Sequence, residues 1–178
     1  LYYWSIADIK ATPVLKGTHY VAGMSWNTKA GHIKLEGFYK NTDGLIRYFW
    51  DGEAQPLMGS YGKSRAYGID CYYQKKWGKL DLWAAYTWSK TEESFNSFET
   101  AAFQRAPHDQ RHEAKGAGIL NLHPFFFSIN YIYGSGFPNA DHLNSNLDFP
   151  AYNRLDIAFL YQFKGKKIQS EVGLSVLN

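Results

Sequence analysis

The chain has 178 residues, 45% of them hydrophobic and 20% charged, with a formal net charge of +3. That length fits one domain of ordinary size, and no run of about 18 apolar residues exists to make a transmembrane helix. So mild a charge, without any Lys/Arg run, does not imply a nucleic-acid partner, and none is expected.

The predicted elements are all strands, about nine of them: 1–10, 18–27, 32–49, 64–76, 79–92, 110–122, 125–135, 151–163 and 167–177. Most reach or exceed the roughly 9–11 residues that a tilted strand needs to cross a bilayer. Soluble strands cluster near five or six residues. In 64–76, Ile69, Cys71 and Tyr73 oppose Asp70, Tyr72 and Gln74. In 79–92, Leu80, Leu82, Ala84, Tyr86 and Trp88 oppose Asp81, Trp83, Ala85, Thr87 and Ser89. Strand 110–122 has only a thin apolar face of Ala114, Gly116 and Gly118. In 125–135, Phe125, Phe127, Ile129, Tyr131 and Tyr133 oppose Phe126, Ser128, Asn130 and Ile132. Leu155, Ile157, Phe159, Tyr161 and Phe163 face one way in 151–163, as do Ile168, Val172, Leu174 and Val176 in 167–177. This period of two means strands with one apolar face each.

Short turns are expected at Thr28–Gly31, Trp77–Gly78, His123–Pro124 and Gly165–Lys166, with longer loops near 50–63, 93–109 and 136–150. Short and long alternate in strict order if 32–49 is one strand with an irregularity at Asn41–Gly44. Outer-membrane barrels connect their strands in this way. Tyr and Trp gather at the ends of the apolar faces (Tyr86 and Trp88 at one, Tyr73 and Trp77 at the other), as two aromatic girdles would. A mean hydropathy of −0.42 does not conflict, because a membrane barrel alternates apolar-out with polar-in. A soluble up-and-down barrel with a ligand inside would instead expose Trp83, Tyr72, Phe126, Ile132 and Leu160, an awkward load of apolar surface. The lone Cys71 allows no internal disulfide framework and is expected to be buried or lipid-facing. Residue 1 is Leu and no signal peptide is seen, so a mature, trimmed or partial chain is expected.

Several stretches resemble the barrel of TonB-dependent outer-membrane receptors. "IKLEGFYKNTDGL" (Ile33 to Leu45) is similar to a long family strand. "YGIDCYYQKKWGKLDLWAAYTWSK" (Tyr67 to Lys90) resembles the family's strand, tight periplasmic turn and ascending strand, with Asp70 where Glu is commoner. "APHDQRHEAKG" (Ala106 to Gly116), "YGSGFP" (Tyr133 to Pro138), "YNRLDIAFLYQF" (Tyr152 to Phe163) and "EVGLSVLN" (Glu171 to Asn178) follow in the family's order. The resemblance implies an all-β fold, an antiparallel up-and-down transmembrane β-barrel fragment, with residues 1–178 forming part of a barrel of about 22 strands. It further implies a receptor in the outer membrane of a Gram-negative bacterium. Such a receptor imports a scarce solute (siderophore, cobalamin, oligosaccharide or peptide) with energy from the TonB complex. Outer-membrane lipid, an own plug domain and the cargo would be its partners. The plug, the TonB-contacting segment and the last strand are not recognisable here. A passive barrel (porin, adhesin or secretion pore) is the competing reading.

His108 and His112 in "HDQRH", with Asp109, invite a metal reading, but an extended chain separates i and i+4 by about 13 Å. The resemblance makes Asp109, Arg111 and His112 structural instead. Ser60, Ser64, Ser89 and Ser94, with His108, His142 and Asp141, form no local hydrolase signature such as G-x-S-x-G. "YGSGFP" lacks the lysine and helix of a phosphate loop. No catalytic residue, metal or cofactor is therefore expected, and no substrate-binding residue is assigned. Lys34, Glu36, Asp70, Asp81, Glu113, Lys115, Arg154, Asp156 and Glu171 fall on the polar faces and are expected to face the lumen, against the plug.

Overall fold

In the computed structural model, which describes residues 13–49, 58–97, 102–138, 148–165 and 168–178, every described element is a β-strand. In chain order they are β1 (Lys16–Thr28), β2 (Gly31–Phe49), β3 (Met58–Trp77), β4 (Leu80–Phe95), β5 (Gln104–Arg105), β6 (His112–Leu122), β7 (Phe125–Gly134), β8 (Tyr152–Lys164) and β9 (Gln169–Val176). Each strand expected from residue 18 onward is present, and 1–10 lies outside the described residues. The short β5 was not anticipated. It pairs with the end of β4, at Glu92 and Glu93.

One antiparallel sheet holds them all, in the order β1-β2-β3-β4-β6-β7-β8-β9. Among the described residues the sheet is open, with β1 and β9 at its two ends. β2 runs unbroken from Gly31 to Phe49, and its register with β3 shifts between Asp43 and Leu45. Gly44 sits at that bulge with φ +81°, a left-handed conformation that costs glycine little. The irregularity falls where the sequence placed it. With β2 continuous, the β1–β2, β3–β4, β6–β7 and β8–β9 turns all lie at one end of the sheet. The long connections lie at the other.

The core is not where a soluble sheet would put it. The buried side chains include Phe95, Ala106, Thr42, Ser60, Glu92, Glu93, Ser94 and Asp109, all at the long-loop end. There β2, β3 and β4 continue past the last aromatic residues of the apolar face. The stretch from Tyr67 to Trp77 already matches the roughly 9–11 residues of a membrane-crossing strand. The remainder of β3, from Met58 to Ala66, stands beyond it.

Candidate functional site

Residues directly opposite in an antiparallel pair share a face, so the register defines two surfaces. Trp26, Ile33, Tyr73, Ala84, Gly116, Tyr131 and Leu155 form one cross-sheet row. Leu82, Gly118, Ile129, Ile157 and Val176 form the next towards the turns. This apolar surface is the exposed one: Ile69, Ile129 and Ile157 are 46%, 47% and 48% accessible. Along β7 each apolar-face residue from Phe125 to Tyr131 is exposed, while its alternating neighbours are half-covered. A water-soluble fold does the reverse. Side chains on a concave surface converge and shade one another, so the sheet curves towards its polar face.

Aromatic rings bound the apolar band at both ends. Towards the long loops Tyr39 stacks on Tyr67 at 6.4 Å and Tyr67 meets Trp88 edge-on at 6.2 Å. Towards the turns Phe125 lies 5.1 Å from Tyr161, which stacks on Phe163 at 5.9 Å. The thin face of β6 is filled by its neighbours. A Cβ at Gly118 would lie 3.4 Å from Ile129 Cγ2 and 3.5 Å from Leu82 Cδ1. Cys71 is exposed on this same band, between Leu35 and Tyr86.

The nine polar residues singled out in the sequence share the opposite face. Glu36, Asp70, Thr87 and Glu113 form one row across four strands. Lys34, Tyr72, Ala85, Lys115, Ile132 and Arg154 form the adjacent one. An acidic row thus lies beside a cationic one, and ions pair along single strands, between these two rows in β2 and β6 and with the row beyond in β8. Lys34 pairs with Glu36, Lys115 with Glu113 at 2.7 Å, and Arg154 with Asp156 at 2.9 Å. Asp70 accepts from Thr87 Oγ1, and Glu171 accepts from Gln162 Nε2 at 2.7 Å. Asp81 lies opposite Lys76, nearest the turns. The bulky residues on this face also find partners: Tyr72 stacks on Trp83 at 6.4 Å.

The long-loop end holds a charge cluster that sequence reasoning did not find. Glu92 accepts from Arg65 at 2.8 Å and pairs with Lys90 at 2.7 Å, while Glu93 accepts from Arg47 at 2.6 Å. Burial opposes ionisation of Glu92, but hydrogen bonds from Lys90 and Arg65 outweigh it and hold the carboxyl below its usual range. The guanidinium of Arg47 covers Phe95 at 4.3 Å, and that of Arg65 covers Phe103 at 4.2 Å. These loop aromatics are engaged in packing. Asp109, fully buried, accepts from Thr91 N at 2.6 Å, Arg105 Nε at 2.7 Å and Arg111 Nε at 2.6 Å.

His108 and His112 diverge. His112 Nδ1 lies 2.7 Å from Tyr86 Oη, whereas His108 sits beside Glu93 at 3.7 Å. Asp109, between them, is taken by two arginines. Ser60 Oγ accepts from Ser97 N, and Ser89 Oγ donates to the Gln110 carbonyl. Asp141 and His142 lie outside the described residues. In "YGSGFP", a Cβ at Gly136 would fall 1.5 Å from the Phe149 carbonyl oxygen, so glycine permits the close approach of the returning chain.

An antiparallel sheet that exposes its apolar face between two aromatic belts, and is polar on the other, is the wall of a transmembrane β-barrel. The family model described as TonB dependent receptor-like, beta-barrel, matches residues 12–178. The chain belongs to that family, one of outer-membrane transport receptors of Gram-negative bacteria. No curated protein matches it.

Proposed function

We propose that this chain is a stretch of barrel wall in a receptor that draws a scarce solute across the outer membrane. The observation that carries the reading is the pair of uninterrupted faces, apolar and exposed on one side, polar and half-covered on the other. In this reading the apolar face meets lipid. Lys34, Glu36, Asp70, Asp81, Glu113, Lys115, Arg154, Asp156 and Glu171 face the lumen, where an own plug domain sits. Their pairing along single strands gives a plug a charged surface that is already neutralised in places, so it can be held by hydrogen bonds and still be moved. The solute is captured at the outer loops and lumen. Energy from the TonB complex then rearranges the plug and releases the solute into the periplasm, with no bond in the cargo made or broken.

The test is uptake by cells that carry or lack the whole gene, with and without TonB, using labelled iron-siderophore, cobalamin, oligosaccharide and peptide. Loss of uptake of one class in both deletions is expected. Uptake that depends on this gene but persists without TonB would overturn the active reading and make the protein a passive pore.

A further inference from the structure

The turn end of the sheet brings two lysines together. Lys29 lies in the β1–β2 turn, while Lys75 lies near the end of β3. Alternation and register put Lys75 on the apolar face with Tyr73 and Trp77, opposite Leu82. Its amine rests 5.1 Å from the Trp77 ring centre and donates to the Lys29 carbonyl. Tyr73 Oη donates to the Ala30 carbonyl at 2.8 Å. Two side chains of β3 therefore pin the neighbouring turn. They hold Lys29 and Lys75 together at the aromatic belt formed by Trp26, Tyr73 and Trp77.

Neither lysine forms an ion pair among the described residues. Asp81, the next carboxylate along the chain, projects from the other face opposite Lys76. The contrast with the long-loop end is sharp, because there Arg47, Arg65, Lys90, Arg105 and Arg111 all have carboxylate partners.

We infer that Lys29 and Lys75, set on the belt of Trp26, Tyr73 and Trp77, bind the phosphate groups of anionic phospholipid in the leaflet on the turn side. The inference rests on the membrane-spanning reading above, which alone brings the belt to headgroup depth. Tyr and Trp rings settle at that depth. Ammonium groups beside them meet lipid phosphate as compact point charges. Each lysine near an anionic surface shifts local lipid occupancy by about fivefold, and salt weakens the effect.

The experiment uses the whole protein as its gene encodes it, reconstituted into vesicles of phosphatidylglycerol and phosphatidylethanolamine in equal parts, with retained lipid counted by native mass spectrometry. Phosphatidylglycerol should be retained in preference at low salt. The preference should fall about 25-fold in the combined variant K29Q/K75Q and persist in K29R/K75R. Failure of the wild-type protein to insert would overturn the membrane reading itself. Insertion without a lipid preference, or a preference that survives the glutamine variant or is lost in the arginine variant, would overturn this inference alone. A protein that inserts without lipid preference yet retains an acidic periplasmic protein through these lysines would give the rim to that partner instead.

Discussion

Removing the carboxylate of Asp109 should loosen the long-loop end and leave the membrane wall intact. Its side chain is fully buried and accepts one backbone and two guanidinium hydrogen bonds. Deleting one member of a buried ion pair costs about 3–5 kcal/mol, because the remaining charge stays desolvated. Arg105 and Arg111 keep side-chain exposures of 31% and 26%, so water recovers part of that loss. About 3 kcal/mol is expected for Asp109→Ala. The loss should be local, since β4 is held on both sides by β3 and β6 irrespective of the loop. The Ala106 carbonyl accepts from the Asp109 backbone at 2.9 Å, a bond that a side-chain substitution keeps. The N–H of Ala106, which donates to the Thr91 carbonyl at 3.0 Å, reports the docking of the loop. At roughly tenfold per 1.4 kcal/mol, its hydrogen exchange should accelerate about 100-fold. Asp109→Asn keeps an acceptor for Thr91 and should fall between the two. A change below about threefold at Ala106 in the alanine variant would show that Asp109 does not hold the loop.

Because its folded pKa is depressed, Glu92 lends stability that is complete above the unfolded value of about 4.3 and drains away as pH falls through the lower folded value. Exchange protection at the long-loop end, corrected for intrinsic rates, should be flat at neutral pH and decline in acid. An acid decline of equal size in Glu92→Gln would refute the assignment. Ile129→Arg should cost about 2–4 kcal/mol in urea unfolding from lipid vesicles, against under about 1 for the neighbouring Asn130→Arg. The opposite ranking would reverse the two faces. Gly44→Ala should destabilise by about 1–3 kcal/mol, since its φ is +81° and the new Cβ would lie 2.6 Å from the Val14 carbonyl oxygen. Unchanged thermal stability would remove the bulge as the reason for that glycine.

Local alternation and tight turns made most of the wall legible. Trp77–Gly78 fixes a hairpin, and counting outward from it puts Asp70 opposite Thr87 and Cys71 opposite Tyr86, as observed. The same counting puts Arg65 opposite Glu92, so that half of the charge cluster was readable had the strands been extended past 64 and 92. The Arg47–Glu93 pair was not. It crosses from β2 to β4, and the bulge at Gly44 breaks the count on the way. β5 has too few residues to show any period, and exists because Asp109 folds the loop back onto β4. The thin face of β6 could not be understood strand by strand, because Leu82 and Ile129 from its neighbours cover Gly118.

Among the described residues every long strand pairs only with its neighbours in the chain, apart from the small detour of β5. The wall is in that sense a one-dimensional chain of hairpins, in which stability sums over seams as it does in repeat proteins. Duplicating or deleting a hairpin such as β6–β7 would re-form a single seam and leave the rest untouched. Barrel girth can therefore drift over evolutionary time by whole hairpins. Loop lengths, confined to one end, can drift independently of it.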